Sequence, residues 1–153
     1  MLDISRGNIS ETTAQRLADG VLYPSETLAN HEVYVPGCTE PWIAQLVAAL
    51  LTASGKSVVL ETGGFTGSTS LWLGLTLNRL GGGTLHVAEI DPTRADMIDT
   101  RLRIAQLERV DVKVHGQDVM EVIKNFPEKS LGFVWLDDDH QQTHVEAEIT
   151  ALI

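Results

Sequence analysis

A short apolar strand that runs through an acid into a glycine-rich turn is the feature that most limits how this chain can fold. Residues 57–67 read Ser-Val-Val-Leu-Glu-Thr-Gly-Gly-Phe-Thr-Gly, and the sequence after them is typical of an amphipathic helix. In an open α/β sheet this succession builds a ligand-sized cleft at the carboxyl end of the first strand, because glycine lets the backbone pass close to a ligand. We expect Glu61 to place a carboxylate in that cleft, where it would repel a pyrophosphate and suit an ammonium group or ribose hydroxyls.

Strands and helices alternate along the rest of the chain, which predicts right-handed βαβ units and a parallel sheet. Apolar runs predict strands at 57–61, 84–90, 110–115 and 131–136. Helical periodicity predicts helices at 41–53, 69–80, 93–107, 119–125 and 140–153. Thr39 is expected to cap the first helix and Asp118 the fourth. The apolar stripe of the first helix is expected to be Ile43, Leu46, Val47, Leu50 and Leu51. The predicted fold class is α/β, a Rossmann-like parallel sheet with flanking helices.

The end of the chain suggests that this sheet is incomplete. The sequence stops inside its last predicted helix, without a C-cap glycine or a closing strand. The fourth strand, 131–136, is almost entirely apolar, so we expect it to have a neighbouring strand on each edge. We interpret the chain as the first four strands of a larger sheet whose later strands are missing, through a truncated gene, a fragment or completion by a partner. A homodimer formed through the exposed edge is one expected outcome.

Composition and charge exclude several classes of protein. The formal net charge of −10 disfavours nucleic acid and anionic membrane surfaces as partners. No apolar run approaches the roughly 18 residues of a membrane span, and the N-terminus lacks the basic and apolar regions of a signal peptide. The single cysteine, Cys38, cannot form an internal disulfide and is expected to behave as a small hydrophobic residue. We therefore predict a cytoplasmic protein.

Acidic or polar residues follow each of the four predicted strands. They are Glu61, Glu89, the pair Gln117 and Asp118, and Asp137. One acid after a strand is weak evidence because helix N-caps are often acidic. Four such positions in register predict a binding site, because ligands of open α/β sheets bind at the carboxyl ends of the strands.

These segments resemble class I S-adenosylmethionine-dependent methyltransferases. Residues 59–68, Val-Leu-Glu-Thr-Gly-Gly-Phe-Thr-Gly-Ser, resemble the first motif, and their Phe-Thr-Gly ending is similar to the catechol and caffeoyl-CoA type O-methyltransferase branch. Residues 86–91, His-Val-Ala-Glu-Ile-Asp, resemble the second-strand motif, and Gly-Gln-Asp at 116–118 resembles the third. Residues 133–140, Phe-Val-Trp-Leu-Asp-Asp-Asp-His, resemble the fourth. The resemblance extends over residues 36–153, and it implies a lid or extension at 1–38 and a partial S-adenosylmethionine-binding domain at 39–153.

The resemblance also implies which residues bind the donor. Glu61 and the backbone of 63–67 would hold the methionine part, Glu89 the ribose hydroxyls, Gln117 with Asp118 the adenine, and Asp137 would lie near the methyl group. The full implied set is Glu61, Gly63, Gly64, Phe65, Thr66, Gly67, Ser68, Glu89, Ile90, Gln117, Asp118 and Asp137. The implied function is O-methyl transfer to a hydroxyl of a small-molecule acceptor, as an in-line displacement.

Two residues after the fourth strand are the catalytic candidates. Asp137 matches the first divalent-ion ligand of the metal-dependent members, but their Asp-Asn pair has no counterpart before Ile153. Mg²⁺ at Asp137 is therefore expected to bind weakly or not at all. His140 occupies the position of a basic lysine, and its imidazole is suited to take a hydroxyl proton near neutral pH. An equally weighted interpretation is that His140 simply opens the next helix.

Three other interpretations stay open at this point. The chain fits a truncated, non-catalytic methyltransferase-like module. A nicotinamide-dependent oxidoreductase is less favoured because residues 63–67 are a poor G-x-G-x-x-G motif. The histidines at 140 and 144 have the spacing of a zinc helix, but Gln141 replaces the catalytic glutamate, which leaves only a weak metal site with Asp137 or Asp139.

Overall fold

The computed structural model of the protein describes residues 38–153, so all of the predicted N-terminal extension except Cys38 lies outside the described residues. Five helices and four strands alternate along this part of the chain. In chain order they are α1 (Pro41–Ser54), β1 (Val58–Thr62), α2 (Ser68–Arg79), β2 (Gly83–Ala88), α3 (Pro92–Ile104), β3 (Val110–His115), α4 (Val119–Ile123), β4 (Phe133–Leu136) and α5 (Gln142–Leu152).

The strands form one parallel sheet in the order β3-β2-β1-β4. Thr62 at the end of β1 pairs with Ala88 of β2 on one side and with Leu136 of β4 on the other. The predicted Rossmann-like parallel sheet with flanking helices is therefore confirmed. The chain builds outward from β1 to β3 and then returns to place β4 on the opposite side of β1. Ligand clefts of open α/β sheets form at such a reversal of strand order.

Several element boundaries differ from the prediction by a few residues. Strand β2 ends at Ala88, so Glu89 follows the strand. Helix α1 has Glu40 as its N-cap, without a side-chain capping bond, so the prediction of Thr39 as the cap is wrong. The hydroxyl of Thr39 instead donates to Asp137. Asp118 caps α4 as predicted, because its carboxylate accepts a hydrogen bond from the backbone N–H of Met120.

The sheet has an apolar cluster on each side. Val59 and Leu85 pack against α1, α2 and α3, whereas Leu60 packs against α4. In α1, Val47 and Leu51 are fully buried as predicted. The same prediction is wrong for Leu46 and Leu50, which are 53% and 49% exposed. They stand one turn apart on the outer side of the helix in line with Trp42, because α1 turns only one narrow face to the core.

Strand β4 forms one edge of the sheet among the described residues. Its residues pair with Val59–Thr62 of β1, and all four of them are only half-buried. Within residues 38–153 the other edge of β4 has no strand partner. The predicted association of two copies through this edge remains a prediction.

Two histidines stack on each other between neighbouring strands. The rings of His86 and His115 lie 5.4 Å apart at 6° to each other, with His86 Nδ1 3.1 Å from His115 Nε2. The ring of Phe126 meets His86 edge-on at 4.7 Å. Burial lowers the pKa of both histidines, and the positive charge of Lys113 lowers it further. The pair is therefore neutral in the folded protein near neutral pH.

We expect both histidines to take up protons only below their ordinary pKa of about 6.5. Because the unfolded chain binds these protons first, the pair's contribution to stability is complete above that pH and is lost as the pH falls. The NMR shifts of the imidazole ring protons, measured against pH, check this directly. His86→Gln and His115→Gln assign the signals. A midpoint above 6.5 for either ring would contradict the described packing.

Candidate functional site

A cavity of about 760 Å³ opens at the carboxyl ends of the strands. It is lined by residues that follow every one of the four strands. The lining includes Gly63, Gly64, Phe65, Thr66 and Ser68 after β1, Glu89 and Ile90 after β2, Gln117 and Asp118 after β3, and Asp137, Asp138, Asp139 and His140 after β4. The structure thus brings eleven of the thirteen sequence-predicted site residues to one cavity; Glu61 and Gly67 are the two that do not line it.

The turn after β1 is fixed by its neighbours on both sides. The backbone N–H groups of Gly63 and Gly64 both donate to the carbonyl oxygen of Ala88, at 2.9 and 3.2 Å. Gly63 has a φ of +74°, and a Cβ atom on it would lie 2.4 Å from the carbonyl oxygen of Asp137. Glycine is therefore required at this position by the loop after β4, in addition to any need for space near a ligand.

Glu89 ties the turn after β1 to the turn after β2. One carboxylate oxygen accepts a hydrogen bond from the N–H of Phe65 at 2.7 Å, and the other accepts from the N–H of Asp91 at 2.9 Å. The side chain is buried and lines the cavity. Each carboxylate oxygen has room for a second donor, so Glu89 is rigidly placed and can still bind hydroxyl groups.

Glu61 takes a different position from the one that the sequence predicts. Its side chain is 1% exposed and receives a hydrogen bond from the Ser70 hydroxyl in the first turn of α2. Burial raises the pKa of Glu61 to about 8, and the negative charges of Asp137 and Glu89 act in the same direction. The expectation of a charged carboxylate exposed in the cleft is therefore corrected to a protonated side chain behind the cavity wall.

Gly67 also lies behind the wall. It has a φ of +80° and serves as the N-cap of α2. A Cβ atom on it would lie 3.2 Å from the side chain of Ile98 in α3. Its role in the structure is to let the turn close against α3.

A chain of hydroxyl groups that the sequence did not reveal reaches Asp137. The Thr69 hydroxyl donates to the Thr39 hydroxyl, which in turn donates to Asp137 Oδ2. Both hydrogen bonds are 2.8 Å long. Beside them, Cys38 Sγ lies 2.9 Å from the hydroxyl of Thr66. Residues 38 and 39 come twenty or more positions before the first motif, and no local pattern indicates that they contact it.

Two arginines of α3 also support the first turn, and neither was predicted. The guanidinium group of Arg101 donates to the carbonyl oxygen of Thr66 in the protein interior. The guanidinium of Arg94 lies 4.7 Å from the ring centre of Phe65. Phe65 has a φ of +48°, so these contacts hold a backbone conformation that a phenylalanine rarely adopts.

His140 lies in the loop between β4 and α5. Helix α5 begins at Gln142 with Gln141 as its N-cap, so the interpretation that His140 opens the helix is wrong. His140 is exposed and lines the cavity together with Asp137. Its imidazole can therefore meet a ligand that occupies the side of the cavity next to β4.

The candidate metal ligands of residues 38–153 meet at a different place from Asp137. Asp138, His144 and Glu148 are the group of three whose ligand atoms all lie within 4.8 Å of one another. Burial works to lower the pKa of His144, but attraction and a hydrogen bond to Asp138 outweigh it, and the pKa is raised. Burial raises the pKa of Glu148. Asp137 is not a member of this group.

None of the helices within residues 38–153 is long and apolar enough to cross a bilayer.

Comparison with known families finds one match that covers most of the domain. Residues 60–153 match a family model described as a methyltransferase domain. No curated protein sequence matches the chain significantly.

Several solved structures of similar fold are described as O-methyltransferases. The O-methyltransferase from Bacillus cereus in complex with SAH aligns with a TM-score of 0.62 at 21% identity, over 97% of this chain and 65% of that one. A putative O-methyltransferase from Klebsiella pneumoniae gives 0.64 at 17% identity, over 89% of this chain and 58% of that one. The O-methyltransferase TomG from Streptomyces achromogenes, in complex with SAM, gives 0.62 at 17% identity, over 95% and 59%. The chain thus spans less than two thirds of the length of each.

Proposed function

The chain belongs to a family of methyltransferase domains, and from this premise we propose that it is an S-adenosylmethionine-dependent methyltransferase acting on a hydroxyl group of a small molecule. The family match favours this function over the nicotinamide-dependent oxidoreductase that the sequence left open. The structures of similar fold solved with SAH or SAM support the choice of donor.

The observation that carries the proposal is the placement of Glu89. The Glu89 carboxylate, with one backbone N–H on each oxygen, lines a cavity to which residues after all four strands contribute. A carboxylate can bind two adjacent ribose hydroxyls at once, one with each of its oxygens. We assign Glu89 to the ribose of the donor, with Ile90, Gln117 and Asp118 around the adenine.

A second observation suits the methionine end of the donor. The Ser68 hydroxyl is buried, lines the cavity and has no hydrogen-bond partner among the described residues. It stands at the N-terminus of α2, where the first backbone N–H groups have no intrahelical partner and attract an anion. We assign the donor carboxylate to Ser68 and the turn Gly63–Gly67, and Glu61 is proposed to support this turn from behind the cavity wall.

The residues after β4 would handle the acceptor. S-adenosylmethionine supplies a methyl group that is already activated on a sulfonium, so the protein mainly has to align the acceptor hydroxyl and remove its proton. His140 is proposed to take that proton, because it is exposed in the cavity next to Asp137. Asp137 is held by the hydroxyl of Thr39 and would orient the acceptor. Mg²⁺ at Asp137 stays a prediction of weak binding or none.

The partners and the location of the protein are also part of the proposal. A small-molecule acceptor and a cytoplasmic location are proposed from the charge, the sequence and the family. The homodimer through the open edge of β4 is likewise a proposal, which sedimentation would check.

Titration of S-adenosylmethionine by calorimetry tests the proposed function. We expect affinity near micromolar, about −8 kcal/mol. Glu89→Ala should weaken it at least tenfold, because two charge-assisted hydrogen bonds of about 1.5–3 kcal/mol each are lost. The exposed residue Glu128 provides a matched control, and Glu128→Ala should leave the affinity unchanged. Unchanged affinity in a folded Glu89→Ala would show that the ribose assignment is wrong.

A modified ligand separates ribose binding from loop damage, because Glu89→Ala also removes the bonds to Phe65 and Asp91. A SAH analogue without the ribose 2′-hydroxyl should bind the wild type more weakly than SAH itself. The two ligands should bind Glu89→Ala equally. If the wild-type chain is folded and neither ligand binds it, the non-catalytic module is the better description.

A further inference from the structure

We propose that Asp138, His144 and Glu148 form a divalent-metal site of the Zn²⁺ type that joins the loop after β4 to helix α5. The site is separate from the Mg²⁺ position predicted at Asp137. It does not depend on the proposed methyltransferase function, because it follows from the positions and charges of these side chains alone.

The geometry brings three ligand atoms to one point. His144 Nε2 lies 3.1 Å from Asp138 Oδ1 and 3.9 Å from Glu148 Oε2. Ligands that share an ion at the usual zinc distances of about 2.0–2.2 Å stand about 3.3–3.6 Å apart in a tetrahedron. The observed spacings lie on either side of that range, so small side-chain movements would complete the coordination.

Glu148 gives an independent reason to expect a cation. Its side chain is 1% exposed, and neither carboxylate oxygen has a hydrogen-bond partner among the described residues. The Thr62 hydroxyl is close enough to favour the charged form of Glu148, but it does not reach hydrogen-bond geometry. A buried carboxylate without a donor is costly, and groups of this kind are normally paired or coordinate a metal.

The imidazole alone does not satisfy both acids. The Nε2 atom of His144 can donate a single hydrogen bond. This atom lies within hydrogen-bond distance of Asp138 but not of Glu148. A dication among the three ligand atoms would balance the two carboxylate charges and contact all of them at once.

The chemistry of the ligands favours Zn²⁺ over Mg²⁺. An imidazole nitrogen with two carboxylates is a typical mixed set for zinc, whereas Mg²⁺ prefers oxygen ligands and keeps several waters. His144 and Glu148 are one helical turn apart, so α5 presents both from the same face. Asp138 and His144 also line the cavity, so the proposed site lies at its wall.

The test is titration of the metal-free chain with ZnCl₂ by calorimetry, with MgCl₂ as the comparison. We expect one Zn²⁺ per chain at micromolar affinity or tighter, a higher melting temperature with Zn²⁺, and weaker binding of Mg²⁺. Glu148→Gln and His144→Gln should each weaken Zn²⁺ binding at least tenfold while circular dichroism shows a folded chain. Glu148→Gln keeps the volume of the side chain, so a loss of affinity would report the missing charge.

Two matched variants serve as controls. Glu146→Gln removes a carboxylate from the same helix whose partner is the amide of Gln142, and it should leave Zn²⁺ affinity unchanged. His140→Gln should do the same, because His140 is not part of the cluster. The proposal is overturned if the folded wild-type chain binds no Zn²⁺, if Glu148→Gln binds it as tightly as the wild type, or if His140→Gln loses it equally.

Discussion

Gly63→Ala is expected to destabilise the protein severely and to abolish binding of S-adenosylmethionine. A Cβ atom at this position would lie 2.4 Å from the carbonyl oxygen of Asp137 and 2.5 Å from the Cα of Asp138. Both are backbone atoms, so relief requires β4 or the turn after β1 to move. The φ of +74° adds strain for any residue with a side chain. Overpacking and backbone strain together should cost on the order of 3–5 kcal/mol.

Gly55→Ala is the matched control. Gly55 has a similar φ of +62°, but nothing lies within 4 Å of the position of its Cβ. It should therefore show only the backbone strain, about 1–2 kcal/mol. Urea unfolding of both variants measures the difference in stability, and calorimetry measures donor binding by the folded fraction. Equal losses of stability in the two variants would show that the contact between the turn and the β4 loop is not tight.

The sequence predicted a glycine-dependent turn at Gly63 but did not reveal the structural reason for the glycine. Glycine after the first strand indicated space for a ligand, whereas the structure shows a close approach of Asp137 from 74 positions further along the chain. That approach depends on the strand order, in which β4 lies beside β1. Local patterns predict strands and the turns that follow them, but they do not reveal which loops meet.

The same limit explains the other differences in the site. The polar residues after each strand were predictable because parallel strands bring their carboxyl ends to one edge. The partners of these residues were not predictable. The hydroxyl of Thr39 reaches Asp137 across 98 positions, and Ser70 of the first turn of α2 binds Glu61. Side-chain direction also explains why Leu46 and Leu50 are exposed. They fit an apolar stripe in the sequence but face outward because α1 packs on a single side.

The segment Asp137–Asp138 links the three parts of the site. Its backbone packs against Gly63, the carboxylate of Asp137 accepts from Thr39, and the carboxylate of Asp138 meets His144. A change in this segment would therefore reach the donor turn, the proposed acceptor side and the proposed zinc site together. Single substitutions there would be poor tests of any one function, whereas Glu89→Ala and Glu148→Gln each address one site.

Glu61→Gln is expected to stabilise the protein at alkaline pH. Burial raises the pKa of Glu61 from 4.5 to about 8, so the folded protein holds a proton that the unfolded chain has released. The stabilisation from this proton is fully present below about pH 4.5 and is lost as the pH rises towards 8. A shift of this size corresponds to on the order of 5 kcal/mol, a large part of the roughly 5–15 kcal/mol by which an ordinary domain is stable.

Glutamine keeps the shape of the side chain and its ability to accept the hydrogen bond from Ser70, but it cannot ionise. The free energy of unfolding of Glu61→Gln should therefore change little between pH 5 and pH 9, apart from the smaller effect of the histidine pair at the acid end. At pH 9 the variant should be more stable than the wild type. Urea unfolding across this pH range measures the stability of both proteins. Glu121 is exposed, so Glu121→Gln is the control, and its stability should follow that of the wild type. If the wild type loses no stability between pH 5 and pH 8, then Glu61 is ionised in the folded protein. In that case the description of Glu61 as a neutral, buried side chain is wrong.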